Sequence, residues 1–207
     1  MDKNRIKELV NKKNPTIFEI GCADGQDTLE FIRVFGDVTI HCFEPEPKNI
    51  DIVKSTVHYS NHNLFEGVVS DFNGELEFNR SRTDNPSDLS YSGSIKKPKE
   101  HLNEWPFIKF DDTIKVNSTT LDKYCEDNNV DIIDFIWADV QGAEESLIVG
   151  GKKMFKDKVR YLYTEYSNKE YYEGQANLAQ LTSIIGDNWE VVQDFGTDVL
   201  LKNKNLD

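Results

Sequence analysis

Cysteine is scarce in this chain, and that scarcity is the first constraint. Cys22, Cys42 and Cys125 are the three present. No two of them have Cys-x-x-Cys spacing, and any disulfide scheme leaves one over, so nothing in their number or spacing marks a disulfide framework. Reduced thiols and a cytoplasmic setting are expected. Long apolar runs are also missing. None approaches the ~18 residues of a membrane span, and Met1-Asp2-Lys3-Asn4-Arg5 opens an amphipathic stretch rather than a signal peptide, so no membrane partner is expected. Cations are in deficit, with Lys and Arg numbering 24 against 37 Asp and Glu for a formal charge of −13. That balance argues against nucleic acid, whose binding depends on clustered cations. The chain has neither Gly-x-Ser-x-Gly nor a Cys-His arrangement, so nothing marks a covalent nucleophile.

What is present suffices for one α/β domain over residues 1–207, in which 38% of residues are hydrophobic and 11% aromatic. Ile6, Leu9 and Val10 predict an N-terminal helix within 1–14. Strands are expected at 15–20, 38–44 and 63–71, the first two leading into helices at 29–35 and 47–56. Glu75–Phe78 alternates and should pair back on the third strand as a hairpin. Residues 79–112 lose periodicity and read as a loop insertion on the acceptor side of a site; Trp105, Phe107 and Phe110 there would either anchor it in the core or offer an apolar face to a ligand. Thr113–Val116 reads as a short edge strand, and Thr119–Tyr124 opens a helix. The nearly continuous apolar run 132–138 is the mark of a central parallel strand. A helix at 142–149 stopped by Gly150-Gly151, a strand at 160–166, a helix at 176–185 and a closing antiparallel hairpin (189–194 and 199–202) complete the pattern.

One segment organises the rest. In Phe18-Glu19-Ile20-Gly21-Cys22-Ala23-Asp24-Gly25-Gln26-Asp27-Thr28 a strand turns through glycines into a helix, which places backbone N–H groups at the carboxyl edge of a sheet. The spacing is Gly-x-x-x-Gly, with Ala23 where a dinucleotide fingerprint has its middle glycine. Glu19, Asp24 and Asp27 crowd the turn; carboxylates there repel a pyrophosphate and suit a cofactor carrying an ammonium and a sulfonium, such as S-adenosylmethionine. About twenty residues on, Glu44 closes the second strand, where an acid accepts ribose hydroxyls whichever nucleoside is bound. Asp139 and Glu165 end two later strands and are the candidates to orient or deprotonate an acceptor. A Mg²⁺ ion shared between those two is possible, with a thin ligand count, and no metal site is assigned. His58 and His62 have i, i+4 spacing without the glutamate of a zinc hydrolase motif.

Three blocks, Glu19-Ile-Gly-Cys-Ala-Asp-Gly-Gln-Asp-Thr28, Cys42-Phe-Glu-Pro-Glu-Pro47 and Asp134-Phe-Ile-Trp-Ala-Asp-Val-Gln-Gly-Ala-Glu144, resemble the signature blocks of the FkbM family of S-adenosylmethionine-dependent methyltransferases. The likeness runs from about Thr16 to the end. It implies a class I methyltransferase sheet, Rossmann-like and mostly parallel, and methyl transfer to oxygen on a sugar, glycan or related small molecule. Glu19, Gly21, Asp24, Gly25, Asp27, Thr28 and Glu44 would then hold the cofactor, and the resemblance places Ser70 and Asp71 near its adenine, although Asp71 equally suits the opening of a turn. The family's third block has a lysine two residues before the aspartate and an acid before the glycine, and here Trp137 and Gln141 replace them. Two other readings compete: a non-catalytic nucleotide-binding or scaffold domain on the same fold, and an NAD-linked oxidoreductase, which the loop acids and the missing glycine disfavour.

Overall fold

Strands and helices alternate along the chain in the computed structural model, which describes residues 1–85, 89 and 91–206. The first half contains α1 (Lys3–Val10), β1 (Thr16–Ile20), α2 (Gln26–Phe35), β2 (Thr39–Glu44), α3 (Pro47–Thr56), β3 (His62–Val69) and β4 (Gly74–Arg82). Then follow α4 (His101–Glu104), β5 (Lys109–Thr119), α5 (Leu121–Asp127), β6 (Phe135–Ala138), α6 (Glu144–Gly150) and α7 (Lys152–Asp157). The chain closes with β7 (Tyr161–Glu165), α8 (Leu178–Ile185), β8 (Trp189–Asp194) and β9 (Asp198–Asn203).

The strands form one sheet in the order β4-β5-β3-β2-β1-β6-β7-β9-β8. Pairings from β5 through β3, β2, β1 and β6 to β7 are parallel, and the β8–β9 hairpin joins β7 antiparallel at the edge, as expected. Both faces are covered. Phe18, Ile20 and Ile136 pack with α5 to α8, while Ile17, Ile40 and Phe135 pack with α1, α2 and α3. A strand buried on both sides reads as a continuous apolar run, which is why β1 and β6 are so legible in sequence. The chain moves outward from β1 to β2 and β3, then returns to β6 on the other side of β1. That reversal opens a crevice at the carboxyl ends of β1 and β6, where open α/β sheets bind ligands.

A buried ionic knot fixes the opposite end of β1. The Asp134 carboxylate, 1% exposed, accepts from the Thr16 backbone N–H at 2.9 Å and Lys12 Nζ at 2.8 Å, with Arg160 at 3.4 Å. Asp134→Ala leaves the partly buried Thr16 N–H and the Lys12 ammonium without this acceptor, while Arg160 keeps the Val10 carbonyl at 3.1 Å. The expected loss is roughly 2–4 kcal/mol in urea unfolding; a loss near zero would mean water replaces the carboxylate.

Four expectations are corrected. Glu75–Phe78 lies in β4 and pairs with β5, not with β3. The strand expected at 113–116 is neither short nor an edge: β5 spans 109–119 and lies between β4 and β3. Gly67 admits it, because a Cβ there would stand 2.3 Å from the Asn117 carbonyl oxygen. The 79–112 loop is correspondingly shorter, since β4 continues to Arg82 and β5 begins at Lys109. Arg80 with Asp112 and Arg82 with Asp111 tie that ladder through side-chain ion pairs, so it carries no apolar alternation. Part of the loop, 86–88 and 90, lies outside the described residues. Finally, Gly151 ends α6 but does not end helix, for α7 follows at once.

Candidate active site

At the crevice a cavity, open at its mouth, is lined by the ends of β1, β2 and β3, by Asp139 just after β6, and by Tyr91 and residues 93–95 of the long loop. The β1 turn forms one wall. Gly21 takes φ +87°, Ala23 φ +48° and Gly25 φ +79°, a run of left-handed residues that bends the chain sharply before α2. Gly21 N–H and Cys22 N–H both donate to the Phe43 carbonyl, at 2.9 and 3.1 Å, which pins the turn to β2.

Glu44 closes β2 and faces the cavity. Its Oε2 accepts from Ala23 N–H at 2.8 Å, and its Oε1 from Glu46 N–H at 3.0 Å and Asn49 Nδ2 at 3.2 Å. Burial pushes its carboxyl up to about 7 against those bonds. A carboxylate has about four acceptor positions, so one remains for a ligand hydroxyl. Opposite, Asp139 follows β6, with its N–H bonded to the Ile20 carbonyl at 2.9 Å and Oδ1 accepting from Gln141 Nε2 at 2.5 Å. Burial, then the charges of Asp198 and Asp27, hold its carboxyl above the usual range.

Gly21, Glu44 and Asp139 therefore meet at one cavity. The other predicted residues are placed differently. Asp24 stands at the rim, where it accepts from the Tyr91 hydroxyl at 3.2 Å. Gly25 turns toward Val53 and Val57 of α3. Glu19 and Thr28 bond each other at 2.5 Å beneath the turn, and Asp27 pairs with Lys3 at 2.8 Å. Ser70 is buried against Ser118 at 2.8 Å, and Asp71 is exposed; Val68 and Val69 line the cavity instead. Glu165 lies off the cavity wall, half-buried, its carboxyl pushed up to about 8 by burial and then by Asp139. Phe43, Glu46, Asn49 and Tyr91 are wall residues that sequence reasoning missed.

The negative wall exists, but other residues make it. Glu44, Glu46 and Asp139 face the cavity, and among the described residues lining it there is no lysine, arginine or histidine. A pyrophosphate would meet the carboxyls of Glu44 and Asp139, while Glu46 is already paired with the Arg80 guanidinium, whose Nε stands 2.8 Å from it. The position where the family block has lysine holds Trp137, and its ring carries the buried Lys3 ammonium 3.3 Å from the centroid. Beyond the cavity, residues 96–101 are bonded to the loop after β7, with Lys99 N–H donating to the Tyr171 carbonyl at 2.7 Å. There Phe110 packs on His101, Trp105 packs on Tyr171 while remaining 36% exposed, and Phe107 is 60% exposed. Among the described residues no three His, Cys, Asp or Glu side chains are grouped as metal ligands would be.

Glu19 gives a test of the buried turn. Burial pushes its carboxyl up to about 8, opposed by the Thr28 hydroxyl. A folded value above the unfolded one means stability that is full below the ordinary carboxylate range and is lost as pH rises through about 8. Glu19→Gln keeps the Thr28 contact and removes the titration. Between pH 5 and 9 the wild type should lose a few kcal/mol relative to this variant in urea unfolding, on the order of 1.4 kcal/mol for every pH unit separating the folded and unfolded values. Parallel pH curves would show Glu19 to be an ordinary carboxylate.

The chain matches the family model of the methyltransferase FkbM domain over residues 19–196. It is 38% identical to the 2-O-methyltransferase NoeI of Sinorhizobium fredii, the alignment covering 98% of this chain and 85% of that protein. Among solved structures, an rRNA methylase from Streptococcus thermophilus superimposes with a TM-score of 0.50 at 12% identity, over 97% of this chain and 93% of that one. At that identity the likeness is one of fold.

Proposed function

Since the chain belongs to the FkbM family of methyltransferases, we propose that it transfers a methyl group from S-adenosylmethionine to a hydroxyl of a sugar or glycan, and that Glu44 and Asp139 divide the work. The observation that carries this reading is the cavity itself, with Glu44 on one wall, Asp139 on another and no cation among its described lining. Such a wall fits a donor that carries an ammonium and a sulfonium. Glu44 keeps one acceptor position for a ribose hydroxyl, and the apolar Phe43, Val68 and Val69 offer contact to a base. S-adenosylmethionine, when bound, supplies an electrophilic methyl carbon on a sulfur that leaves as a neutral thioether.

This chain must do the rest. A neutral hydroxyl attacks poorly, and Asp139 takes the proton it gives up, then returns that proton to water. Glu165, one strand over and with its carboxyl pushed up to about 8, is the second candidate to take that proton at this edge of the sheet. The family supports oxygen as the acceptor atom through the 2-O-methyltransferase relative, and sugar is the acceptor class the signature blocks suggest. The excess of acids argues against a nucleic-acid acceptor. Three buried cysteines in no disulfide fit a reducing, cytoplasmic setting.

Radiolabelled methyl transfer to a panel of oligosaccharides tests the proposal, with calorimetry against S-adenosylhomocysteine beside it. Transfer to a sugar hydroxyl is expected, and Glu44→Ala is expected to abolish binding of the homocysteine product. Binding without transfer to any hydroxylated acceptor would favour a non-catalytic domain.

A further inference from the structure

Gln141 is built into the site more rigidly than a loop residue needs to be. It is a non-glycine residue at φ +52°, its carbonyl is held by the Ser94 hydroxyl at 2.8 Å, and the next residue, Gly142, packs under the Tyr172 ring. That conformation aims its amide between two partners. Nε2 donates to Asp139 Oδ1 at 2.5 Å, and Oε1 stands 2.8 Å from the Tyr172 hydroxyl, which is also 2.8 Å from the Ser92 carbonyl. Tyr172 is 3% exposed and stacked against His101. An amide reversed end for end would set its oxygen against the Asp139 carboxylate and its NH₂ against the phenol. The single phenolic proton is shared between Oε1 and the Ser92 carbonyl, and its share at Oε1 together with an ionised Asp139 favours the orientation in which nitrogen faces the acid.

We propose that Gln141 is a positioning residue for Asp139: its amide, oriented by Tyr172, donates to the carboxylate and keeps it charged and facing the cavity, ready for the proton of the acceptor hydroxyl. This rests on the reading that Asp139 serves that hydroxyl. The need for a donor follows from the surroundings. Asp27 from α2, Glu144 from α6, Glu165 from β7 and Asp198 from β9 all bring carboxyl groups near Asp139 or its neighbours, and Tyr172 adds a neutral phenol. Two cations lie near this cluster: Lys3, whose ammonium is engaged by Asp27, and Lys96, which acts on Glu144 and donates to the Gly174 carbonyl. An acid at position 141 would put a second carboxyl at hydrogen-bond distance from Asp139, and the two would share one proton. A neutral amide donor avoids that.

The test is a carboxyl ¹³C NMR titration of Asp139 in the cofactor-free protein, the resonance assigned with Asp139→Asn. Gln141→Met should raise the Asp139 midpoint by about 1–2 pH units, as expected on losing a charge-assisted hydrogen bond. Tyr172→Phe should raise it less, and Gln141→Glu should raise it most. The acid limb of kcat against pH should move with each midpoint, while melting temperature and affinity for S-adenosylhomocysteine stay near wild type. Should Gln141→Met not fold, Tyr172→Phe decides alone. An Asp139 midpoint unchanged in the folded variants overturns the proposal. Because the titration needs neither donor nor acceptor, it stands apart from the functional reading, which fails separately if Asp139→Asn still turns over.

Discussion

Replacing Asp139 with Asn is expected to reduce methyl transfer by about 10²- to 10⁴-fold, the range for loss of a positioned general base, while S-adenosylhomocysteine binds as before. The geometry makes this a clean substitution. Asn keeps an oxygen for the Gln141 amide, which stands 2.5 Å away, and the backbone N–H that bonds the Ile20 carbonyl is untouched. What disappears is the capacity to take a proton. Initial rates at saturating donor and acceptor, together with calorimetry of the product cofactor, separate the two effects. A variant with wild-type kcat would remove Asp139 from the proton transfer and leave Glu165, whose raised carboxyl lies beside it, as the group to examine next.

The second large effect is expected at Gly21. Its φ of +87° disfavours any side chain, and a Cβ would stand 2.0 Å from the Asp139 carbonyl oxygen, which is backbone and cannot rotate away. Gly21→Ala must therefore push the β1 turn off β6 at the point where the cavity's two walls meet. A loss of roughly 3 kcal/mol or more in stability is expected, with cofactor binding lost as well. Gly36→Ala is the control. That glycine has φ +76° with nothing within 4 Å of where a methyl group would stand, so its cost is the left-handed backbone alone, about 1–2 kcal/mol. Equal losses in the two variants would mean that the approach of β1 to β6 is softer than the structure shows.

Gly21, Glu44 and Asp139 were legible because each is marked locally: a glycine or an acid directly after an apolar strand. Glu19 carries the same kind of mark and points elsewhere. On β1 the side chains alternate between two buried faces, Phe18 and Ile20 toward one core and Ile17 toward the other. A strand buried on both sides gives no polar alternation from which to read the face, so the sequence pattern could not show that Glu19 turns beneath the bend to Thr28. Ser70 and Asp71 are a related case. The cavity uses Val68 and Val69, and the chain turns away just after β3 ends.

Long-range pairing accounts for the remainder. The β4–β5 arm is held by Arg80–Asp112 and Arg82–Asp111 across residues 29–32 positions apart, and such charge pairs leave no periodic trace. Tyr172 reaches Gln141 from 31 positions away. The wall formed by residues 91–95 likewise depends on contacts that a one-dimensional reading does not contain. Acids do line the cavity, as the crowded turn suggested, but they are Glu44, Glu46 and Asp139.

The central claim is that this cavity is shaped and charged for S-adenosylmethionine, and isothermal titration of the purified protein with S-adenosylhomocysteine and, separately, with NADH tests it most directly. Saturable binding of the first at one site per chain, with no saturable heat from the second, is the expected result. Saturable binding of the dinucleotide with none of the sulfur compound would contradict it.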